Sequence, residues 1–193
     1  MTHDAARDGP RRVMVVGQPG AGKSTLARAL GAGLALPVVH IDLIHWQAGW
    51  VERDRDDKLP LIRAAEDTEA WVIEGGLSAT WDRRLDRADW LVWIDRPWPR
   101  RAWRVLRRSW RYRGRSRPDL PDGCPEAFGR QTLEFLGYIW RTRASGRARM
   151  ADLAARGAAA GKRVVRLRSD RDARAWLAGL GIEAPAEWGR RGV

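Results

Sequence analysis

The stretch that decides the fold reads Val13-Met14-Val15-Val16-Gly17-Gln18-Pro19-Gly20-Ala21-Gly22-Lys23-Ser24. Four apolar residues, three of them β-branched, stop at a glycine. Beyond the glycine-rich turn, Leu26, Ala27, Leu30 and Leu34 recur at helical spacing, so the order is strand, loop, helix. Gly17 to Ser24 matches G-x-x-x-x-G-K-[ST] in full, the pattern of a loop that cradles phosphates. Its glycines (Gly17, Gly20 and Gly22, with Ala21 between) let backbone N–H groups turn inward, and the following helix points its positive end at the anion. The Lys23 ammonium is expected to reach the β and γ oxygens of ATP, Ser24 to offer its hydroxyl to Mg2+, and Thr25 to close the nucleotide-binding set.

Outward from this unit the chain repeats it. Val38 to Ile41 reads as a second strand ending at Asp42, Trp71-Val72-Ile73 as a third ending at Glu74-Gly75-Gly76, Trp90 to Ile94 as a fourth ending at Asp95, and Arg163 to Leu167 as a fifth. Apolar strands separated by helical segments argue for a parallel sheet covered on both faces, a doubly wound α/β fold. Such folds bind ligands beyond the carboxyl ends of their strands, where Gly17, Asp42 and Glu74 fall. Asp42 and Glu74 are therefore the candidates to support Mg2+ beside Ser24, and Asp42 also to orient or deprotonate an acceptor. His45 and Trp46, just after Asp42, are placed to contact that acceptor. Asp95, before Arg96-Pro97, reads as a helix cap.

With 193 residues, 44% hydrophobic and 31% charged, the chain has the composition of one globular domain, expected over residues 11–181 with residues 1–10 and 182–193 as flexible tails. No apolar run approaches a membrane span, and the polar first dozen residues do not read as a secretory signal. One cysteine, Cys124, allows no internal disulfide and fits a reducing cytoplasm.

The net charge of +12 is concentrated: from Arg96 to Arg149 stand 15 arginines against Asp119, Asp122, Glu126 and Glu134, a local +11. This basic, lid-like insertion, about residues 97–149, lies between strands four and five. Its first helix, about Trp98 to Tyr112, is expected to pack Ala102, Trp103, Leu106 and Trp110 and to expose an arginine stripe. Arg104, Arg108 and Arg111 on that stripe are candidates to close over the transferring phosphoryl group. The competing reading is a nucleic-acid-binding regulator that uses the same charge. Against it, there is no zinc-finger or RRM signature, and the 12 tryptophans read mostly as core.

The loop Gly17 to Ser24, the segments His40-Ile41-Asp42 with His45-Trp46, Trp71 to Gly75, Trp103 to Arg108, Arg111 to Asp119 and Gly123-Cys124-Pro125-Glu126, in that order, resemble the adenylate-kinase-like P-loop proteins labelled FlaR or DNA topology modulation protein. The resemblance runs from about Arg12 to Leu180. It implies a P-loop NTPase of nucleotide-kinase-like, three-layer architecture, a five-stranded parallel sheet in the order 2-3-1-4-5, a helical lid, and ATP with Mg2+ at the loop. It also places Asp42 near a small-molecule acceptor. Glu74 stands where the family often has Asp. The acceptor is not specified by the resemblance.

Overall fold

The structure, a computed structural model, describes residues 9–189. Its centre is a parallel sheet of β1 (Arg12–Gly17), β2 (Val38–His40), β3 (Trp71–Glu74), β4 (Trp90–Ile94) and β5 (Arg163–Leu167). The strands lie side by side in the order 2-3-1-4-5, as expected for a nucleotide-kinase-like P-loop fold. β1 is central, pairing Val15 with Glu74 on one side and Gly17 with Ile94 on the other. The phosphate loop thus leaves from the middle of the sheet, flanked by the ends of β3 and β4.

Alternation along β1 sends its residues to two cores. Val13 and Val15 meet Leu26, Ala27 and Leu30 of α1 (Lys23–Leu34) and Ala173 and Leu177 of α8 (Asp170–Gly179). Met14 and Val16 share the other layer with Ile62 of α3 (Arg55–Asp67), Leu85 of α4 (Trp81–Arg87) and Leu153 of α7 (Arg143–Ala159). This second layer holds a fully buried ion pair, in which Arg84 donates to Glu66 at 3.2 Å and to the Thr80 hydroxyl at 2.6 Å. Removing one partner strands the other charge. Glu66→Gln should cost about 3–5 kcal/mol in urea unfolding, and a loss below about 1 kcal/mol would show the pair to be solvated.

β2 ends one residue before the expected Ile41. Its last residue is His40, and Ile41–His45 forms one helical turn, α2, so Asp42 and His45 sit on a short helix rather than at a strand end. A small hairpin follows, Trp46–Gln47 against Val51–Glu52.

The insertion contains α5 (Trp98–Arg111), a turn-rich arm over residues 112–129, and α6 (Arg130–Arg141). The buried face of α5 is rotated from the one expected: Ala102 is buried and Arg100, Arg107 and Arg111 are exposed as expected, but the tryptophans turn outward. Arg101, Ala102, Val105 and Ser109 are buried, whereas Trp103 and Trp110 are 50% and 65% exposed. The reason is compensation: Arg101 donates to the Pro19 and Arg96 carbonyls, and Arg96, Arg100 and Arg104 converge on Asp170. Asp95 does not cap α5 either, because its carboxylate accepts from Arg147 and Arg166.

The expectation of a loose tail after residue 181 is corrected over residues 182–189, where Ile182 and Trp188 pack into the first core and Ala186–Gly189 forms a helical turn, α9. Pro10 is buried as well; residues 1–8 and 190–193 lie outside the described residues.

Candidate functional site

The phosphate loop is held from outside as well as by its own turn. Gly20 and Gly22 have φ values of 76° and 97°, which favour glycine. A Cβ on Gly20 would lie 2.5 Å from the Arg101 carbonyl oxygen, and one on Gly22 would lie 2.6 Å from Arg104 Nη1. α5 therefore rests directly on the loop. Arg104 donates to the Ala21 carbonyl at 3.3 Å and to Asp170 at 2.5 Å, while Gln18 donates to the Arg143 carbonyl at 3.0 Å.

Lys23 and Ser24 open α1, and both line a cleft of about 1420 Å³. Among the described residues Lys23 makes no ion pair. Three carboxylates face this corner. Asp42 lies in the first turn of α2 and is half-buried; its carboxyl is raised above the ordinary range by burial, with Glu74 and Asp119 adding to the effect and Lys23 opposing it. Glu74 is 2% exposed at the end of β3. Burial would raise it, but the 2.7 Å bond with His40 Nδ1, together with Lys23 and Ser24, outweighs that and leaves it lowered. Asp119 comes from the insertion's arm and accepts the Ser24 hydroxyl proton at 3.0 Å. Burial works against its ionisation, yet Arg117 and Ser24 bring it below the usual carboxylate range.

The oxygen donors at this corner, Ser24, Asp42 and Glu74, are the hard set that Mg2+ prefers, with Asp119 bonded to the serine hydroxyl. No group of three or more His, Cys, Asp or Glu side chains is placed to hold a metal ion by itself among the described residues. An open set of this kind suits an ion that keeps water and phosphate oxygens in its shell. Thr25 turns its hydroxyl to Glu187 at 3.3 Å.

Across the cleft, the Lys58 ammonium lies 3.3 Å from His45 Nδ1 and also pairs with Glu52. Burial, and then Lys58, hold His45 below its ordinary range. Trp46 packs edge-on against both His45 and Trp50. The hairpin is pinned to the arm: Trp50 Nε1 donates to the Pro125 carbonyl, Gly49 N–H to Gly123, and buried Cys124 Sγ to Gln47. Along α5, Arg104 touches the loop, Arg108 lies deeper at 3.2 Å from Glu126, and Arg111 is at the rim beside the Tyr112 ring. Asp42, Lys23, Ser24, His45, Trp46, Arg104, Arg108 and Arg111 all line one cleft, and Glu74 stands behind it.

Sequence reasoning missed His40, Lys58, Asp119 and Asp170. His40 is paired in register with Glu74 across β2 and β3, which a strand alignment could have shown. Asp119 carried a fainter signal, an acidic residue beside Arg117-Pro118 within an otherwise basic run.

No protein-family model matches the chain, and no curated protein matches it in sequence. Among solved structures, a shikimate kinase from Bacteroides thetaiotaomicron is 16% identical with a TM-score of 0.54, over 90% of this chain and 99% of that one. A shikimate kinase from Acinetobacter baumannii in complex with shikimate is 15% identical (TM-score 0.48; 91% and 96% covered). A sugar kinase from Janibacter sp. HTCC2649 is 16% identical (TM-score 0.46; 92% and 98% covered). The first of these likenesses gives the fold, a P-loop kinase fold.

Proposed function

We propose that the protein is an ATP-dependent phosphotransferase acting on a small acceptor. The observation that carries this reading is the meeting, in one cleft, of a complete phosphate loop, a Lys23 ammonium that makes no ion pair among the described residues, and the desolvated Asp42 carboxylate on which Lys23 acts. Backbone N–H groups of the loop and Lys23 hold the β- and γ-phosphates; Ser24, with Asp42 or Glu74, holds Mg2+, which when bound supplies neutralising charge. Asp42 orients the acceptor and receives its proton, a task suited to a carboxyl whose affinity for protons is raised. His45 and Trp46 form the acceptor's wall. Arg104, which spans the loop and Asp170, swings toward the phosphoryl group when the insertion closes. The resemblance to the FlaR group and the shikimate kinase fold both support a small-molecule kinase, and neither specifies the acceptor.

The test is ADP release from ATP across nucleoside monophosphates, nucleosides, sugars and hydroxy acids. An acceptor that raises ADP formation at least about tenfold over water is expected, and a uniform low ATPase rate with every acceptor would overturn the reading. Arg104→Ala should lower turnover by at least about tenfold while weakening ATP binding less, because its contact strengthens on closure; Arg111→Ala should do little.

One observation favours the nucleic-acid alternative. Trp103 and Trp110 are exposed on α5, and Arg100 and Arg107 lie over the Trp103 ring. The inner arginines, however, are already committed to Asp170 and Glu126. A DNA affinity that falls steeply with salt, with a slope lowered by about one per arginine removed, would establish it.

A further inference from the structure

The Ser24 hydroxyl has one proton and two lone pairs. In this structure the proton is committed: Ser24 donates it to Asp119 Oδ2 at 3.0 Å, although Asp119 lies 95 residues away in the arm of the insertion. Asp119 is 6% exposed and fixed there. Arg117 Nη1 donates to the same Oδ2 at 2.9 Å, and Arg117 Nε lies 2.7 Å from Glu126 Oε1. Glu126 in turn accepts from the Ser109 hydroxyl at 3.1 Å and pairs with Arg108 at 3.2 Å. A buried polar chain therefore runs from α5 through Glu126, Arg117 and Asp119 to the first turn of α1.

A serine that ligates a cation does so through an oxygen lone pair. That requires its proton to point elsewhere, and a carboxylate outside the coordination shell that takes the proton fixes the oxygen's orientation and raises its donor strength. Glu74 at the end of β3 also faces the Ser24 hydroxyl but is held by His40 at 2.7 Å, and the hydroxyl proton goes to Asp119 at 3.0 Å. Resting on the nucleotide-site reading above, we propose that Asp119 is the positioning residue for the divalent cation at Ser24. It is supplied by the insertion, so cation binding and docking of the arm are one coupled event. The coupling is reciprocal: a docked arm raises cation affinity, and bound cation with ATP holds the arm down.

ATP is titrated calorimetrically onto the full chain, Asp119→Ala and Asp119→Asn, once with Mg2+ and once with EDTA. In the wild type, Mg2+ should strengthen ATP binding. In Asp119→Ala this gain should shrink at least about tenfold, while affinity in EDTA stays level or rises because a negative charge facing the phosphates is gone. Asp119→Asn keeps the volume and an acceptor oxygen, serves if the alanine variant does not fold, and should lose part of the gain in the same direction. An unchanged magnesium gain, or equal losses with and without Mg2+, overturns the proposal and makes Asp119 a prop for the loop. If the wild type binds no ATP under either condition, the nucleotide reading fails and this one falls with it.

Discussion

Lys23→Ala should reduce acceptor-dependent ADP formation about a hundred- to a thousandfold without lowering the melting temperature. The two halves of this expectation have separate grounds. Lys23 forms no ion pair among the described residues, so the fold does not lean on its charge. The charge instead faces the cleft, where it acts on Asp42 and Glu74. A cation aimed at the transferring phosphoryl group in a partly dehydrated site stabilises the transition state by several kcal/mol. With the ammonium gone, Asp42 and Glu74 also lose the charge that favours their ionised forms, so both should titrate higher. Turnover within about twofold of wild type would remove Lys23 from the site.

Asp42→Asn should be the second large loss, about a hundredfold or more in turnover, and it should make the protein more stable. Folding raises the Asp42 carboxyl above its unfolded value of 3.8, chiefly by burial. Between those two values the folded chain binds more protons than the unfolded one, so stability falls as pH rises through that window, and at neutral pH the ionised group is a net cost. The amide removes this cost at similar size. The same shift predicts an acid limb in the turnover profile above the usual aspartate range, as protonation disables the base, and the limb should vanish in the residual activity of the variant. A melting temperature that drops at pH 7 would mean that Asp42 is structural.

The phosphate loop and the sheet were legible because their signals are local. β-branched runs ending in glycine or acid mark strands wherever they occur, and β4 and β5 fall on the residues expected of them. Asp42 was legible as a residue facing the site, though its helical turn was not, since Ile41 to His45 has too few residues to show a period. The orientation of α5 could not be read from periodicity. Hydrophobic patterning assumes that the apolar side turns inward, whereas here the partners that make burial of arginine favourable are Asp170, Glu126 and the Pro19 carbonyl, all remote in sequence. The bond from Ser24 to Asp119 was hidden for the same reason.

The segment that follows Gly181 carries a consequence for where this domain ends. The last long helix stops at Gly179, and a boundary drawn there by pattern would look generous. Yet Trp188 packs over Arg96 at 5.4 Å, its carbonyl accepts from Arg174, and its ring would lie 3.8 Å from a Cβ on Gly22. A chain trimmed after Gly179 would keep every candidate for chemistry named above and lose the floor under the phosphate loop. In a fragment of that design, weak nucleotide binding would reflect the cut and not the residues that remained.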